Sequence, residues 1–183
     1  MRYWQSVALG AAKVRAALIV NGSFETGDFA GWTQFGNSGF TSVQGVFGAV
    51  YPVDGSFQAA FGAVGSLGGI FQTVPVIVGQ SYTLSFWVYN FGGTPSELRV
   101  DWGNHNLIDD VDPPAFGYKH YSFNVVAGGP EVQLSFQQDP SYFLLDDVSL
   151  TPVPEPSTYI AGALLLLPLS LSTLRSVRRK PTT

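Results

Sequence analysis

The side chains that could do chemistry are few, and none is arranged for catalysis. The chain has no cysteine and only two histidines, His105 and His120, and neither histidine stands in a metal-binding spacing such as H-E-x-x-H. Ser66 lacks the G-x-S-x-G setting of a nucleophilic serine. We therefore expect a protein that is not an enzyme, with both histidines on loops or at the rim of the domain.

Carboxylates are a second group of candidates, because four aspartates fall close together in the chain. They lack the spacing and the glycine of an EF-hand loop, so a solvated acidic loop is the favoured interpretation over a metal site. Paired carboxylates could also hydrolyse glycosides, which keeps a glycan-active enzyme open as a third function. The four residues are Asp101, Asp109, Asp110 and Asp112.

Aromatic side chains supply the candidate ligand-binding surface. Trp87 and Tyr89 alternate along one predicted strand and share a face with Thr83 and Ser85, and Trp102 belongs to a predicted neighbouring strand. Aromatic planes stack on the C–H faces of sugars while polar neighbours bond the hydroxyl groups. These three aromatics are therefore candidate sugar contacts, although burial in the core is the favoured alternative.

The elements that must position these residues are strands. Apolar and polar residues alternate from Ser81 to Phe91, and turns rich in glycine separate the alternating segments, as expected for short antiparallel strands. We predict an all-β fold, an antiparallel β-sandwich. Besides Ser81–Phe91, the predicted strands are Ala16–Val20, Phe40–Val43, Gln58–Phe61, Ile70–Val74, Leu98–Trp102, the segment around Tyr121 to Val125, Glu131–Gln137 and Phe143–Leu150.

The charge of this body is strongly acidic. Between Asn21 and Pro152 there are twelve acidic residues and two basic ones, Arg99 and Lys119, which gives a formal charge of −10. Such a surface repels nucleic acid, so we predict no nucleic-acid partner. It suits an extracellular domain or one that binds a hard cation such as calcium.

The C-terminal tail has three parts. A proline-rich linker at 152–156 precedes an uncharged apolar segment at 157–174, which is long enough for one transmembrane helix. A basic segment at 175–183 follows, and the positive-inside rule places it in the cytoplasm and the domain outside. Its basic residues are Arg175, Arg178, Arg179 and Lys180.

This order of parts resembles the PEP-CTERM sorting signal of bacterial surface proteins, with Pro154, Glu155 and Pro156 as the motif. The resemblance implies an exosortase as a partner, a precursor held in the inner membrane by the C-terminal helix, and delivery to the cell surface or the extracellular matrix. It also implies an association with exopolysaccharide and biofilm. The N-terminal segment 1–17 is a poor match to a signal peptide, and a degenerate or truncated export signal and an amphipathic helix both stay open.

The body, residues 18–151, resembles jelly-roll carbohydrate-binding modules and their galactose-binding-like relatives. The segments that carry this resemblance are Ile19–Glu25 with Gly31-Trp32 at the start and Leu145–Leu150 at the end. It implies a structural calcium held by Glu25 and Asp146, with an aspartate that accepts hydrogen bonds from a turn as the alternative. The strand pattern favours Asp146 because we expect it to share the inward face of Leu144, Val148 and Leu150.

Together these patterns predict an exported, non-enzymatic surface or matrix protein with a structural or binding role. The alternative is a carbohydrate-binding module with specific glycan affinity, which would depend on Trp87, Tyr89 and Trp102.

Overall fold

The computed structural model describes residues 17–139 and 142–154, without the side chains of 131–135 and 137–139. Within those ranges no helix is long and apolar enough to cross a membrane. The predicted transmembrane helix, the basic tail, Glu155 and Pro156 lie outside the described residues, as does the segment before residue 17.

The described chain forms ten strands in two antiparallel sheets, which confirms the predicted all-β sandwich. Sheet A has the order β1-β4-β9-β6-β7, and sheet B has the order β2-β3-β10-β5-β8. The strands are β1 Thr33–Gly36, β2 Ser42–Gln44, β3 Gln58–Phe61, β4 Gly68–Pro75, β5 Ser81–Asn90, β6 Glu97–Trp102, β7 His105–Val111, β8 Phe116–Val126, β9 Glu131–Asp139 and β10 Phe143–Pro152.

The core lies between the two sheets and follows from the alternation of the longest strands. In β5, Leu84 and Phe86 point inward and are fully buried, while their neighbours face outward. The Phe86 ring meets Phe136 of sheet A edge to face, with 5.0 Å between centroids. Burying side chains of this size supplies most of the driving force for folding. Trp32, predicted to fill the core, is 7% exposed and packs on Phe136 as expected.

Three predicted segments differ from the structure. Residues 17–20 form bends and a turn, so the strand predicted at Ala16–Val20 is wrong over its described part. The aspartates predicted to lie in an acidic loop are partly in strand β7, whose outer residues Asp109 and Asp110 are exposed at the edge of sheet A. Strand β1 was not predicted, because its four residues carry only one large apolar side chain, Phe35.

The closing strand β10 also corrects the expectation for Asp146. Phe143 and Leu145 join the core before Asp147, and Val148 and Leu150 join it after. Asp147 has a left-handed backbone, with φ of 49°, and one such residue shifts the alternation of a strand, as in a β-bulge. Asp146 therefore does not share the inward face of Val148 and Leu150.

Candidate functional site

The outer face of sheet B carries the aromatic side chains that the sequence singled out. Trp87 lies there on β5, half-buried, directly opposite His120 of β8. The centroids of the two rings are 4.8 Å apart. His120 is exposed, so the pair presents an aromatic surface to solvent at the centre of the β5–β8 ladder.

From Trp87 toward the start of β5 the same face is polar, and strands β5 and β8 carry no charged side chain there. Ser85 bonds Ser149 of β10 at 2.8 Å between hydroxyl oxygens, and Thr83 donates to the amide oxygen of Asn124 at 3.3 Å. Ser122 stands opposite Ser85 and is exposed. We call these five residues, Thr83, Ser85, Ser122, Asn124 and Ser149, the polar strip.

On the other side of Trp87 the face is filled by an aromatic cluster. Tyr89 lies 4.7 Å from Phe91 and 5.6 Å from Tyr118, measured between ring centroids. Phe47 reaches the cluster from the β2–β3 connection and lies 5.7 Å from Phe91 and 5.0 Å from Tyr142. This packing buries part of each ring and leaves Trp87 as the aromatic next to the polar strip.

The connection that delivers Phe47, residues 45–57, is called the 45–57 loop. Its first half is a hairpin in which Phe47 and Val50 exchange both backbone hydrogen bonds. The two residues between them, Gly48 and Ala49, have φ of 53° and 65°, the left-handed values that a tight two-residue turn of this kind requires.

A buried glutamine of β3 ties this hairpin to the sheet. The amide nitrogen of Gln58 donates to the carbonyl oxygens of Gly45 at 2.6 Å and Val50 at 3.0 Å. Its amide oxygen accepts a hydrogen bond from the hydroxyl of Tyr118. Because β3 and β8 are separated by β10 and β5, the Gln58–Tyr118 contact crosses the outer face above those two strands.

Two carboxylates hold the second half of the loop. Oδ2 of Asp146 accepts from the backbone nitrogens of Val53 at 2.7 Å and Asp54 at 3.0 Å. Oε1 of Glu25 accepts from Ser56 and Phe57, both at 2.9 Å. The loop therefore has three anchors, one amide and two carboxylates, contributed by three separate parts of the chain.

Burial sets the electrostatics under the loop. Asp146 is fully buried, and this raises its pKa to about 6 although the backbone donors of Asp54, Asp147 and Val53 lower it. Burial, and then the nearby carboxylate of Asp146, raises the pKa of Tyr118 well above its usual range. The pKa of Asp147 is raised by burial and by Asp54, and lowered by His120. Asp147 therefore lies within electrostatic reach of both Asp54 and His120.

Of the three predicted sugar contacts, Trp87 and Tyr89 lie on the same face, whereas Trp102 lies on the other sheet. Trp87 and Tyr89 share the outer face of sheet B, with Tyr89 packed in the aromatic cluster. Trp102 points into the core, is 1% exposed, and donates its indole N–H to the carbonyl of Val126. That placement contradicts the prediction that Trp102 contacts a ligand, because β6 belongs to the other sheet and turns this side chain inward.

Calcium at Glu25 and Asp146 stays a prediction. Both carboxylates bond to the 45–57 loop. The hydrogen bonds that Asp146 accepts from the backbone of this loop are the alternative explanation for the burial of Asp146. Among the side chains of the described residues, no group of three or more Asp, Glu or His could hold a metal ion. A calcium ion there would take these two carboxylates and complete its six to eight oxygens with backbone carbonyls.

The sequence did not single out Gln58, Tyr118 or the 45–57 loop. Gln58 is a polar residue inside an apolar segment, Gln58-Ala-Ala-Phe61, and a buried polar residue in a strand must find partners. That was the available signal. The partners themselves are distant in sequence, because Tyr118 lies 60 residues away.

Comparison with known proteins agrees with this architecture. A profile of the carbohydrate binding domain family matches residues 16–106. No curated protein matches the sequence. Among solved structures, TmCBM61 in complex with β-1,4-galactotriose is 16% identical, with a TM-score of 0.61 over 76% of this chain and 100% of that chain.

Two further structures are similar at the level of the fold. The CBM22-1 xylan-binding domain from Paenibacillus barcinonensis Xyn10C is 19% identical, with a TM-score of 0.53 over 79% of this chain and 99% of that one. The K1 cleaved adhesin domain of Lys-gingipain from Porphyromonas gingivalis is 17% identical, with a TM-score of 0.54 over 72% of this chain and 96% of that one.

Residues 16–106 therefore match the carbohydrate binding domain family, and the described body has a β-sandwich fold like that of the similar structures. Carbohydrate-binding modules are a non-catalytic class of domain, and this applies to the matched residues. The resemblance to carbohydrate-binding modules is confirmed, and the family match supports the alternative function, glycan binding, better than the main prediction of an exosortase-sorted surface or matrix protein.

Proposed function

We propose that the protein binds a glycan on the outer face of sheet B, at Trp87 and the polar strip. The observation that carries this proposal is the position of Trp87, half-buried and flanked on one side by hydroxyl and amide side chains. A fixed aromatic ring provides an apolar plane for the C–H face of a sugar. Adjacent Ser, Thr and Asn side chains can both donate and accept hydrogen bonds, as sugar hydroxyls require.

Trp87 is suited to this role because its position is supported from the side. The His120 ring lies next to it and the strand pairing fixes both backbones. Little conformational entropy is then lost when a sugar settles on the ring, which favours binding. The charge of the domain favours the same conclusion. Twelve acidic and two basic residues between Asn21 and Pro152 disfavour the binding of uronic acids and leave neutral glycans as the expected ligand class.

The test is affinity electrophoresis of the full chain in gels that contain a neutral polysaccharide. Xylan and β-1,4-galactan come first, because similar structures are described with xylan and galactotriose, followed by β-glucan and mannan. We expect retardation by at least one of them. Trp87→Ala should weaken that binding by about tenfold, the effect of losing about 1.4 kcal/mol at an interface hot spot.

Phe71→Ala is the matched control for this substitution. Phe71 is also a half-buried aromatic on an outer face, but it lies on sheet A beside Phe35. Retardation that is equal in the two variants would contradict the assignment of the face. A wild-type chain that no polysaccharide retards would overturn the proposal of glycan binding.

A second proposal concerns the location of the domain, and it is supported by the order of Pro154-Glu155-Pro156, apolar segment and basic end. The protein would be exported, held in the inner membrane as a precursor, and processed by an exosortase for the cell surface or an exopolysaccharide matrix. A glycan-binding domain delivered in this way could attach to the matrix polysaccharide. The test is the mass of the mature protein recovered from its native host.

Wild-type protein should end near residues 154–157, and Glu155→Ala should keep the intact tail. Cleavage at the same position in wild type and in Glu155→Ala would mean that the motif does not direct processing. An intact tail in both would mean a simple membrane anchor.

A further inference from the structure

The outer face of sheet B is open on some sides and closed on others, and this shape restricts the way in which a glycan can lie on it. The open sides are the polar strip beyond Trp87 and the exposed edge strand β8. The remaining two sides are occupied by the protein itself.

The first closed side lies where β5 ends. Tyr89, Phe91 and Tyr118 fill the face there, and the Gln58–Tyr118 contact passes above β10 and β5. Beneath it Asp146 is 0% exposed. A sugar chain that lies along β5 therefore cannot continue past Trp87 in this direction.

The second closed side lies toward β3. The backbone of Val53 and Asp54 is bonded to Asp146 of β10, and Ser56 and Phe57 are bonded to Glu25. The 45–57 loop therefore stands beside β10 at Asp146, the residue that precedes Asp147. A sugar chain that crosses the strands from β8 over Trp87 meets this loop.

Resting on the proposed function, we infer that the site binds the end of a neutral glycan chain and not its middle. The terminal sugar stacks on Trp87, and its outermost hydroxyls face the carboxylates of Asp147 and Asp54. These two groups accept hydrogen bonds and cannot donate them when ionised. The rest of the chain leaves over the polar strip or over the β8 edge.

The two closed sides of the face select chain ends in different ways. The aromatic cluster and the Gln58–Tyr118 contact exclude further sugars by occupying their space. The Asp54–Asp147 side contributes acceptors that a terminal hydroxyl can satisfy, whereas an internal sugar has a glycosidic oxygen in that place and no proton to donate. Chain ends are thus favoured by shape and by hydrogen bonding.

The experiment compares a polysaccharide with its own fragments at equal mass. Xylan and β-1,4-galactan are each titrated into the full chain before and after partial acid hydrolysis that shortens the chains about tenfold, with tryptophan fluorescence as the readout. Binding of chain ends predicts that hydrolysis lowers the half-saturating mass of glycan about tenfold, because each piece contributes a new end. A half-saturating mass that is unchanged or higher overturns the inference and leaves the proposed function intact. If xylan, β-1,4-galactan and their fragments do not bind, and β-glucan and mannan do not retard the protein either, the proposed function fails and this inference fails with it.

Two substitutions at Tyr118 test the first closed side. Tyr118→Ala removes the ring that closes the face and should reduce the advantage of the fragments to less than about threefold. Tyr118→Phe keeps the ring, loses only the bond to Gln58, and should retain most of that advantage. If Tyr118→Ala binds both forms of the glycan as wild type does, the closed end does not select chain ends. Thermal unfolding of each variant shows that the comparison is made on folded protein.

Discussion

The anchor of the 45–57 loop can be tested with two buried glutamines that have matching environments. Gln58 on sheet B makes three side-chain hydrogen bonds, to Gly45, Val50 and Tyr118. Gln72 on sheet A also makes three, two with the backbone of Val20 and one with Gly31. Both side chains are nearly inaccessible, at 0% and 6% exposed. The perturbation is the substitution of each glutamine by alanine.

The expected loss of stability follows from the number of bonds. A buried hydrogen bond contributes about 0.5–1.5 kcal/mol net, so the loss of three should lower the free energy of unfolding by about 1.5–4.5 kcal/mol in each variant. The carbonyls that are left behind lie in loops, where water can replace the amide, so the upper end of the range is not exceeded. The two variants should therefore be destabilised to a similar degree.

The variants should differ in where the structure loosens. Hydrogen exchange should accelerate at residues 45–50 in Gln58→Ala and at residues 20–31 in Gln72→Ala, while urea unfolding measures the total loss. Only Gln58→Ala should change glycan binding, because only its loop is bonded to strand β10 of sheet B, the sheet that carries Trp87. Equal protection of residues 45–50 in Gln58→Ala and wild type would refute the assignment of Gln58 as the anchor.

Two further predictions concern the carboxylates beneath the loop. The pKa of Asp146 rises from 3.8 to about 6 on folding, so its contribution to stability is complete below pH 3.8 and is lost as the pH rises through 6. Asp146→Asn should therefore flatten the pH dependence of the free energy of unfolding in urea between these two values. An unchanged pH dependence would count against the burial of this carboxyl group. Calcium at Glu25 and Asp146 predicts that EDTA lowers the Tm of wild-type protein but not that of Glu25→Gln. A Tm that is insensitive to EDTA and to added calcium would contradict the calcium site.

The fold was accessible from the sequence where a strand is long and one-sided. Strand β5 alternates over ten residues, so the strand and the division of its side chains between two faces were predicted. The favoured interpretation for Trp87, burial in the core, does not hold, because its ring lies half-buried on the outer face. The short strand β1 carries too little pattern to be seen, and it is defined by its pairing with β4. Strand β7 was obscured by its aspartates, which an edge strand tolerates because one of its sides faces water.

The candidate site was predicted only in part, because its shape depends on tertiary contacts. Trp102 and Trp87 both lie in predicted strands, so the sequence does not distinguish them. In the structure the strand of Trp102 belongs to the other sheet and its side chain points inward. The orientation of Asp146 depends on the left-handed backbone of Asp147, which no alternation pattern reveals. The Gln58–Tyr118 contact joins strands at opposite sides of the face, and such a pairing has no local signal in the sequence.

The most direct test of glycan binding at Trp87 is a titration followed by NMR of the tryptophan indole N–H groups. The sandwich has three tryptophans, and two of them are internal controls because their indoles are buried and bonded, Trp32 to Asn21 and Trp102 to Val126. Addition of the glycan that retards the protein should shift the Trp87 resonance and leave the other two near their starting positions. A shift at Trp32 or Trp102 with an unmoved Trp87 would contradict the account, because binding would then occur away from the outer face of sheet B.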